Sequence, residues 1–330
     1  MEVKNRTAGT LVKRLSHAGD EAAISDAIAE IRLLSKHDAE IRFPLAESGV
    51  VALLSGHLLA GATISSPSSQ ENASAALLNL SITVRQPLVS SPELLDSLAR
   101  CLRPAASAAV SQNAAATVFS LLADESCRPI IGSNKPLLSA LISVVRSPAS
   151  AVRTVKDAIK ALFGVALYPP NRPAMVQLGA VPALFSIAMR RGQPGLVEDA
   201  TAVIARVAGC CDSLDAFRRV AGIRVLMDLM NGGTGSSGRT RENAVAALLN
   251  LANAGGEEAA AEVRETEEAE AAVSEAARAG ISVKATRNAE ALLKILASRR
   301  RHLESYWIRD FELLSPANPP LPDSSADSTS

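Results

Sequence analysis

Aromatic side chains are scarce: six Phe, two Tyr and one Trp in 330 residues. So few rings leave almost no platform on which unpaired bases could stack. Net charge is also missing, because 34 Lys and Arg are matched by 34 Asp and Glu. A generic nucleic-acid binder must neutralise many phosphates, so that class is excluded. No long apolar run exists; Ala174 to Met189 is broken by Gly179 and Pro182 and stops at Arg190-Arg191. It falls short of the ~18 residues a membrane span needs, and the polar opening MEVKNRTAGT is no signal peptide. Cys101, Cys127, Cys210 and Cys211 form neither a CxxC pair nor a zinc spacing. Adjacent cysteines rarely meet disulfide geometry, so the expectation is four reduced, buried thiols in a soluble protein of the cytoplasm or nucleus. What is present is Ala and Leu, within a chain that is 48% hydrophobic and 21% charged. That is enough to bury a core, and the composition favours helix over sheet.

One phrase recurs along the chain. It reads Asn72-Ala-Ser-Ala-Ala-Leu-Leu-Asn-Leu-Ser and again Asn243-Ala-Val-Ala-Ala-Leu-Leu-Asn-Leu-Ala, with weaker copies starting at Asp26, Asn113, Asp157, Asp199 and Asn288. The intervals are 46, 41, 44, 42, 44 and 45 residues, a period that matches armadillo and HEAT solenoids. Between residues 170 and 209 the punctuation predicts a short helix opened by Arg172-Pro173 and ended by Gly179. A second follows from Val181 to about Arg191, broken by Gly192, Pro194 and Gly195, and a third from Leu196 to Gly209. Gly49 and Gly222 mark the same first-to-second turn elsewhere. Short helix, helix, long helix is the armadillo layout. The expected fold is an all-α, right-handed armadillo superhelix of about seven repeats, the first incomplete.

The ends differ. Thr10-Leu-Val-Lys-Arg-Leu reads as a second helix with no first helix before it. Either residues 1–9 form an N-terminal segment covering the solenoid edge, or further chain precedes them. The solenoid proper is expected over 10–300. Glu257 to Glu275 holds eight acids and one base and reads as the solvated face of a terminal cap. Residues 301–314, with Tyr306, Trp307 and Phe311, are expected to pack back on that cap, and 315–330 to be a disordered tail.

Several motifs imitate chemistry. Gly233-Thr-Gly-Ser-Ser-Gly238-Arg239-Thr240 fits a phosphate loop apart from Arg for Lys. A phosphate loop needs a strand before it and a Lys reaching the phosphates, and here a helix precedes, so a connector is expected. His17, His37, His57 and His302 are scattered, and no HExxH or GxSxG occurs. Glu257-Glu258 and Glu267-Glu268 belong to the acidic run, and Arg299-Arg300-Arg301 suits the basic end of a last helix. No catalytic residue, metal or cofactor is expected.

Function should then lie on the third helices, which in such solenoids line a concave face suited to extended partners. With the Asn or Asp as position zero, residues three and seven later share a face. The +7 set is Asn79, Ser120, Gly164, Arg206, Asn250 and Ile295; the +3 set is Ala75, Ala116, Lys160, Ala202, Ala246 and Ala291. The candidate partner-binding residues are Asn79, Ser120, Lys160, Arg206 and Asn250. The amides of Asn79 and Asn250 suit either a partner's backbone or local hydrogen bonds.

Gln70-Glu71-Asn72-Ala73 through Leu77-Leu78-Asn79-Leu80-Ser81, and Arg241-Glu242-Asn243-Ala244 through Leu248-Leu249-Asn250-Leu251, resemble armadillo third helices. Glu30-Ile-Arg-Leu-Leu-Ser-Lys36, then Ile41-Arg42 and Ala46-Glu47-Ser48-Gly49, resembles the opening repeat of plant U-box/armadillo ubiquitin ligases. That resemblance implies an array that binds substrates or regulators while a preceding U-box recruits the ubiquitin-conjugating enzyme. The Cys-Pro-Ile and Asp-Pro-Val expected of a U-box do not occur, so ligase activity is not carried over to this chain alone. Importin-α, a second comparison, reads basic signals with Trp at +3 and Asn at +7. Here +3 is Ala or Lys, so an importin-like groove is disfavoured.

The zero net charge is a cancellation. Residues 151–256 hold 12 basic against 7 acidic residues, while 257–330 hold 9 against 14. Lys160 and Arg206 lie in the basic middle. The expected partner is a protein or peptide segment that is acidic or phosphorylated, bound by a non-catalytic scaffold linked to the ubiquitin pathway.

Overall fold

The computed structural model describes residues 2–60, 66–190, 193–231, 235–266 and 268–297. Among these residues the chain is helical, with no strand. The first repeat supplies α1 (Glu2–Ser16) and α2 (Glu21–His37). Three helices per repeat follow: α3 (Arg42–Glu47), α4 (Val50–Ala60) and α5 (Pro67–Ser81), then α6 (Arg85–Val89), α7 (Pro92–Cys101) and α8 (Ala108–Leu121). The fourth repeat is α9 (Cys127–Ser133), α10 (Lys135–Arg146) and α11 (Val152–Ala166); the fifth is α12 (Arg172–Gln177), α13 (Ala180–Ala188) and α14 (Pro194–Val207). The sixth is α15 (Ser213–Arg218), α16 (Gly222–Met230) and α17 (Gly238–Ala254). The seventh is α18 (Gly256–Glu265), α19 (Ala269–Arg278) and a helix over 283–297, α20.

Local chemistry starts the long third helices. Side-chain oxygens of Asp20, Ser66, Ser107 and Ser237 accept from the backbone N–H groups of Ala23, Ser69, Val110 and Thr240 at 2.8–3.3 Å. Each satisfies one of the orphan donors of a helix N-terminus. Third helices then stack in register, α2 on α5, α5 on α8, α8 on α11, α11 on α14 and α14 on α17. The recurring alanine explains the closeness of that stack. Ala27, Ala73, Ala114, Ala158, Ala200, Ala244 and Ala289, each next after the repeat's Asn or Asp, are wholly buried. A larger side chain there would push the helices apart. The second helices α4, α7, α10 and α13 form a parallel row behind.

Four details differ from the sequence reading. α1 begins at Glu2 rather than Thr10, so residues 2–9, expected as a separate segment, are its first turns. The second helix of the fifth repeat ends at Ala188 and the third runs Pro194–Val207, because proline fits a first helical turn better than it breaks a helix there. In the turn between first and second helices Gly49 and Gly179 have φ of +85° and +83°, but in the sixth repeat Ala221, at φ +50°, takes that conformation. Gly222 is glycine for another reason. A Cβ there would lie 2.9 Å from Phe185 and 3.1 Å from Phe217, two rings that meet edge-on with centroids 5.2 Å apart across α13 and α15. Finally, Cys101, Cys127 and Cys210 are buried but Cys211 is exposed.

The acidic run folds into α18 and α19, and part of it is not free solvated surface. Arg218 on α15 pairs with Glu258 and Glu262 of α18 as well as with its neighbour Asp215. The glycine-rich stretch follows helix α16, not a strand, and its Ser237 caps α17. Arg299–Arg301, the aromatic segment 301–314 and the tail 315–330 lie outside the described residues. No helix among the described residues is long and apolar enough to cross a membrane.

Candidate partner-binding groove

The recurring Asn has a structural duty before any other. Asn79 on α5 donates its Nδ2 to the Arg32 carbonyl and the Ser35 hydroxyl of α2, both at 3.2 Å. Asn250 on α17 donates to the Ala205 carbonyl of α14 at 2.7 Å, and the Ser120 hydroxyl of α8 donates to the Ser81 carbonyl at 3.0 Å. Where the same position is Gly164, a Cβ would stand 2.8 Å from Leu122 of the preceding repeat. Position +7 therefore faces the previous third helix and staples the stack. Position zero does the same: Asn113 donates to Ser74 at 3.0 Å, and Asn243 to the Glu198 carbonyl and Thr201 hydroxyl at 3.2 and 3.3 Å. Both +7 asparagines remain half-exposed.

The cations on this face are held differently. Lys160 Nζ lies 5.4 Å from the centre of the Phe119 ring of α8, and the Arg206 guanidinium 5.7 Å from that of Phe163 on α11. Each ring carries a cation from the next third helix, an attraction between charge and ring quadrupole. The sequence reading missed both rings because it looked for aromatics at +3. Phe119 and Phe163 occupy +6, 44 residues apart, and that shared register was the signal.

Arg206 and Asn250 come together; Asn79 and Ser120 sit repeats away. A cleft of about 330 Å³ is lined by Arg172, Arg206, Gly209, Asn250, Asn253 and Ala254. Arg172 opens α12 and donates Nε to the Ala166 carbonyl at 3.0 Å, which aims the rest of its guanidinium into the cleft. Burial and the neighbouring positive charge of Arg206 hold the Arg172 pKa below its ordinary value. Asp157 on α11 and Asp199 on α14 have pKa values raised by burial, which the nearby lysines Lys156 and Lys160 partly offset. No carboxylate pairs with Lys156, Lys160, Arg172 or Arg206 among the described residues.

Among the described residues, one group of three potential metal ligands comes close together, Cys210, Cys211 and Asp212, which are consecutive residues, two of them exposed. The rest is a row of stapled helices with cations and amides on one face.

The model of the plant U-box protein ARM repeat region matches residues 9–304. The chain belongs to that family. U-box domain-containing proteins 19 and 16 of Arabidopsis thaliana are 29% and 28% identical to it over 76% and 77% of its length. The chain spans about a third of those relatives, 36% and 35%. Among solved structures, a computationally designed armadillo repeat protein for modular peptide recognition superposes with a TM-score of 0.61 at 20% identity, covering 74% of this chain and 99% of the designed one. An engineered protein gives 0.72 at 18% identity over 88% of this chain and 68% of its own. These likenesses establish the armadillo solenoid for this plant U-box ARM region.

Proposed function

We propose that this ARM region is a non-catalytic scaffold whose third-helix face holds an extended segment of a partner protein, in ubiquitin-linked signalling in the cytoplasm or nucleus. The observation that carries this reading is the row of cations without ion-pair partners among the described residues, Lys156, Lys160 and Arg206, beside the half-exposed Asn79 and Asn250. Carbonyl oxygens accept backbone N–H groups of an extended chain, and unpaired cations attract acid. The partner segment is thus acidic or phosphorylated. The designed peptide-recognition protein of the same fold is consistent with this use of the face. An importin-like role fits poorly, since Phe119 and Phe163 already carry the protein's own cations.

A second reading follows from the family and from the third of its relatives that the chain spans: it is the substrate-recognition portion of a U-box ligase. Two experiments test these. Selection of random linear peptides on the purified chain should enrich acidic sequences, and Lys156→Glu with Lys160→Glu should abolish their binding. Lys135→Ala, on α10 in the row behind, should leave it intact, and the opposite pattern removes the site from this face. Incubation with ubiquitin, activating enzyme and a panel of conjugating enzymes should build no chains. Robust ubiquitylation overturns the non-catalytic reading.

A further inference from the structure

The cleft between α12, α14 and α17 holds two guanidiniums and no acid. Arg172 is anchored by Nε to the Ala166 carbonyl at 3.0 Å, and Arg206 is steadied from its other side by the Phe163 ring at 5.7 Å. Neither forms an ion pair among the described residues. Gly209 lies between them, where a Cβ would stand 3.3 Å from Arg172 Nη1 and 3.9 Å from Asn250. Asn250 spends one N–H on the Ala205 carbonyl at 2.7 Å and keeps a second. Asn253 is exposed and makes no hydrogen bond to the described residues.

Comparison between repeats shows what is particular here. Arg42 and Arg85 open α3 and α6 as Arg172 opens α12, and each donates Nε to a backbone carbonyl, of Ser35 at 2.7 Å and of Ser120 at 2.9 Å. The Arg42 bond, like that of Arg172, runs back to the end of the preceding third helix, whereas Arg85 bonds forward to the third helix of its own repeat. The +7 residue of those repeats is Asn79 or Ser120, whereas in the fifth repeat it is Arg206. Folding therefore brings two like charges together, and no carboxylate among the described residues forms an ion pair with either. Fixed donors with their repulsion already spent are pre-organised for an anion.

We propose that the Arg172–Arg206 cleft receives a phosphorylated side chain of the partner segment. Two guanidiniums match the charge of a phosphoryl dianion, while a single carboxylate neutralises only one of them. Guanidinium forks also suit the several oxygens of a phosphoryl group. The inference rests on the groove reading, because the cleft lies at the end of the third-helix face proposed to hold the segment.

The test uses the whole chain and three probes: a capped Ala-phosphoserine-Ala peptide, its glutamate counterpart, and inorganic phosphate. Arginine side-chain Nε–H resonances report binding by NMR, and calorimetry reports affinity. The phosphoserine peptide should shift the Arg172 and Arg206 signals and bind at least about tenfold more tightly than the glutamate peptide. Arg206→Glu should abolish the response; the side chain is exposed and makes no hydrogen bond to the described residues, and circular dichroism checks that the variant folds. Sodium chloride at matched ionic strength producing the same shifts overturns the proposal, as does an unchanged Arg206→Glu response. Free phosphate binding as tightly as the phosphopeptide overturns a side chain as the source. A selected groove peptide that is lost with Lys160→Glu but indifferent to Arg206→Glu and to phosphorylation removes the phosphoryl subsite and leaves the groove. A response at the cleft with no peptide lost on Lys160→Glu does the reverse.

Discussion

Asn250 of α17 donates its side-chain amide to the carbonyl of Ala205 in α14, 45 residues earlier, at 2.7 Å. Asn79 makes the equivalent bond to Arg32 two helices from the other end of the stack. One side chain thus closes the seam between repeats and stays half-exposed on the face.

That double duty separates two substitutions. Asn250→Ala leaves the Ala205 carbonyl without its donor and should cost about 1–2 kcal/mol in urea unfolding. Asn250→Asp should cost less than Ala, because the new carboxylate gains the guanidiniums of Arg172 and Arg206 that line the same cleft. Equal stability of the two variants would show that the guanidiniums contribute nothing.

The turn before α16 carries opposite constraints on neighbouring residues. Ala221→Gly should stabilise by up to about 1 kcal/mol, since a residue with a Cβ is strained in the left-handed region. Gly222→Ala should destabilise by about 1–3 kcal/mol as its methyl meets Phe185 and Phe217. Urea midpoints of the two variants, moving in opposite directions, check the assignment.

Asp199 gives a pH test. Burial raises its pKa, and its Oδ2 has no hydrogen-bond partner. The folded chain therefore keeps a proton on Asp199 to higher pH than the unfolded chain. Its contribution is fully present below the ordinary aspartate range and is lost as pH rises through the raised value. Asp199→Asn should accordingly be more stable than the parent at neutral pH, and the gap should close on acidification. Thermal unfolding at several pH values measures it.

Charge adds to the apolar packing that holds the seventh repeat. Arg218 holds Glu258 and Glu262 of α18, and these carboxylates raise its pKa further. Arg218→Ala should speed amide hydrogen exchange in α18 before α14 or α17, and added salt should mimic it in part. Uniform acceleration along the chain would contradict a local tether.

Thiol labelling separates the cysteines. Cys211 alone should react in the native protein, and slowly near neutral pH, because a hydrogen bond to Asp212 raises its pKa. Burial pushes Cys101 up to about 12, and it should label only after unfolding. Asp212→Asn should speed the native reaction.

The repeat period and the alanine after each Asn or Asp were legible in sequence, since each is a periodic demand. Helix starts were legible less closely, α1 beginning at Glu2 rather than Thr10 and α14 at Pro194 rather than Leu196. Most of the groove was not. Position +7 looked like a binding row because a helical wheel shows which residues share a face, but not what the face touches; Asn79 and Ser120 turn toward the preceding repeat. The rings of Phe119 and Phe163 were overlooked at +6, since their use depends on Lys160 and Arg206 from the next helix. Ala221 could not be told from Gly222, because a crowded Cβ and a positive φ both favour glycine and only packing distinguishes them.

The sequence by itself determined an armadillo solenoid and a basic middle, through periodicity and composition that any stacking of these helices must respect. Only the tertiary structure decided where charge is left unpaired. Arg172 and Arg206 are 34 residues apart on different helices, and it is the stacking of α12 beneath α14 and α17 that puts two guanidiniums and two amides around one cleft.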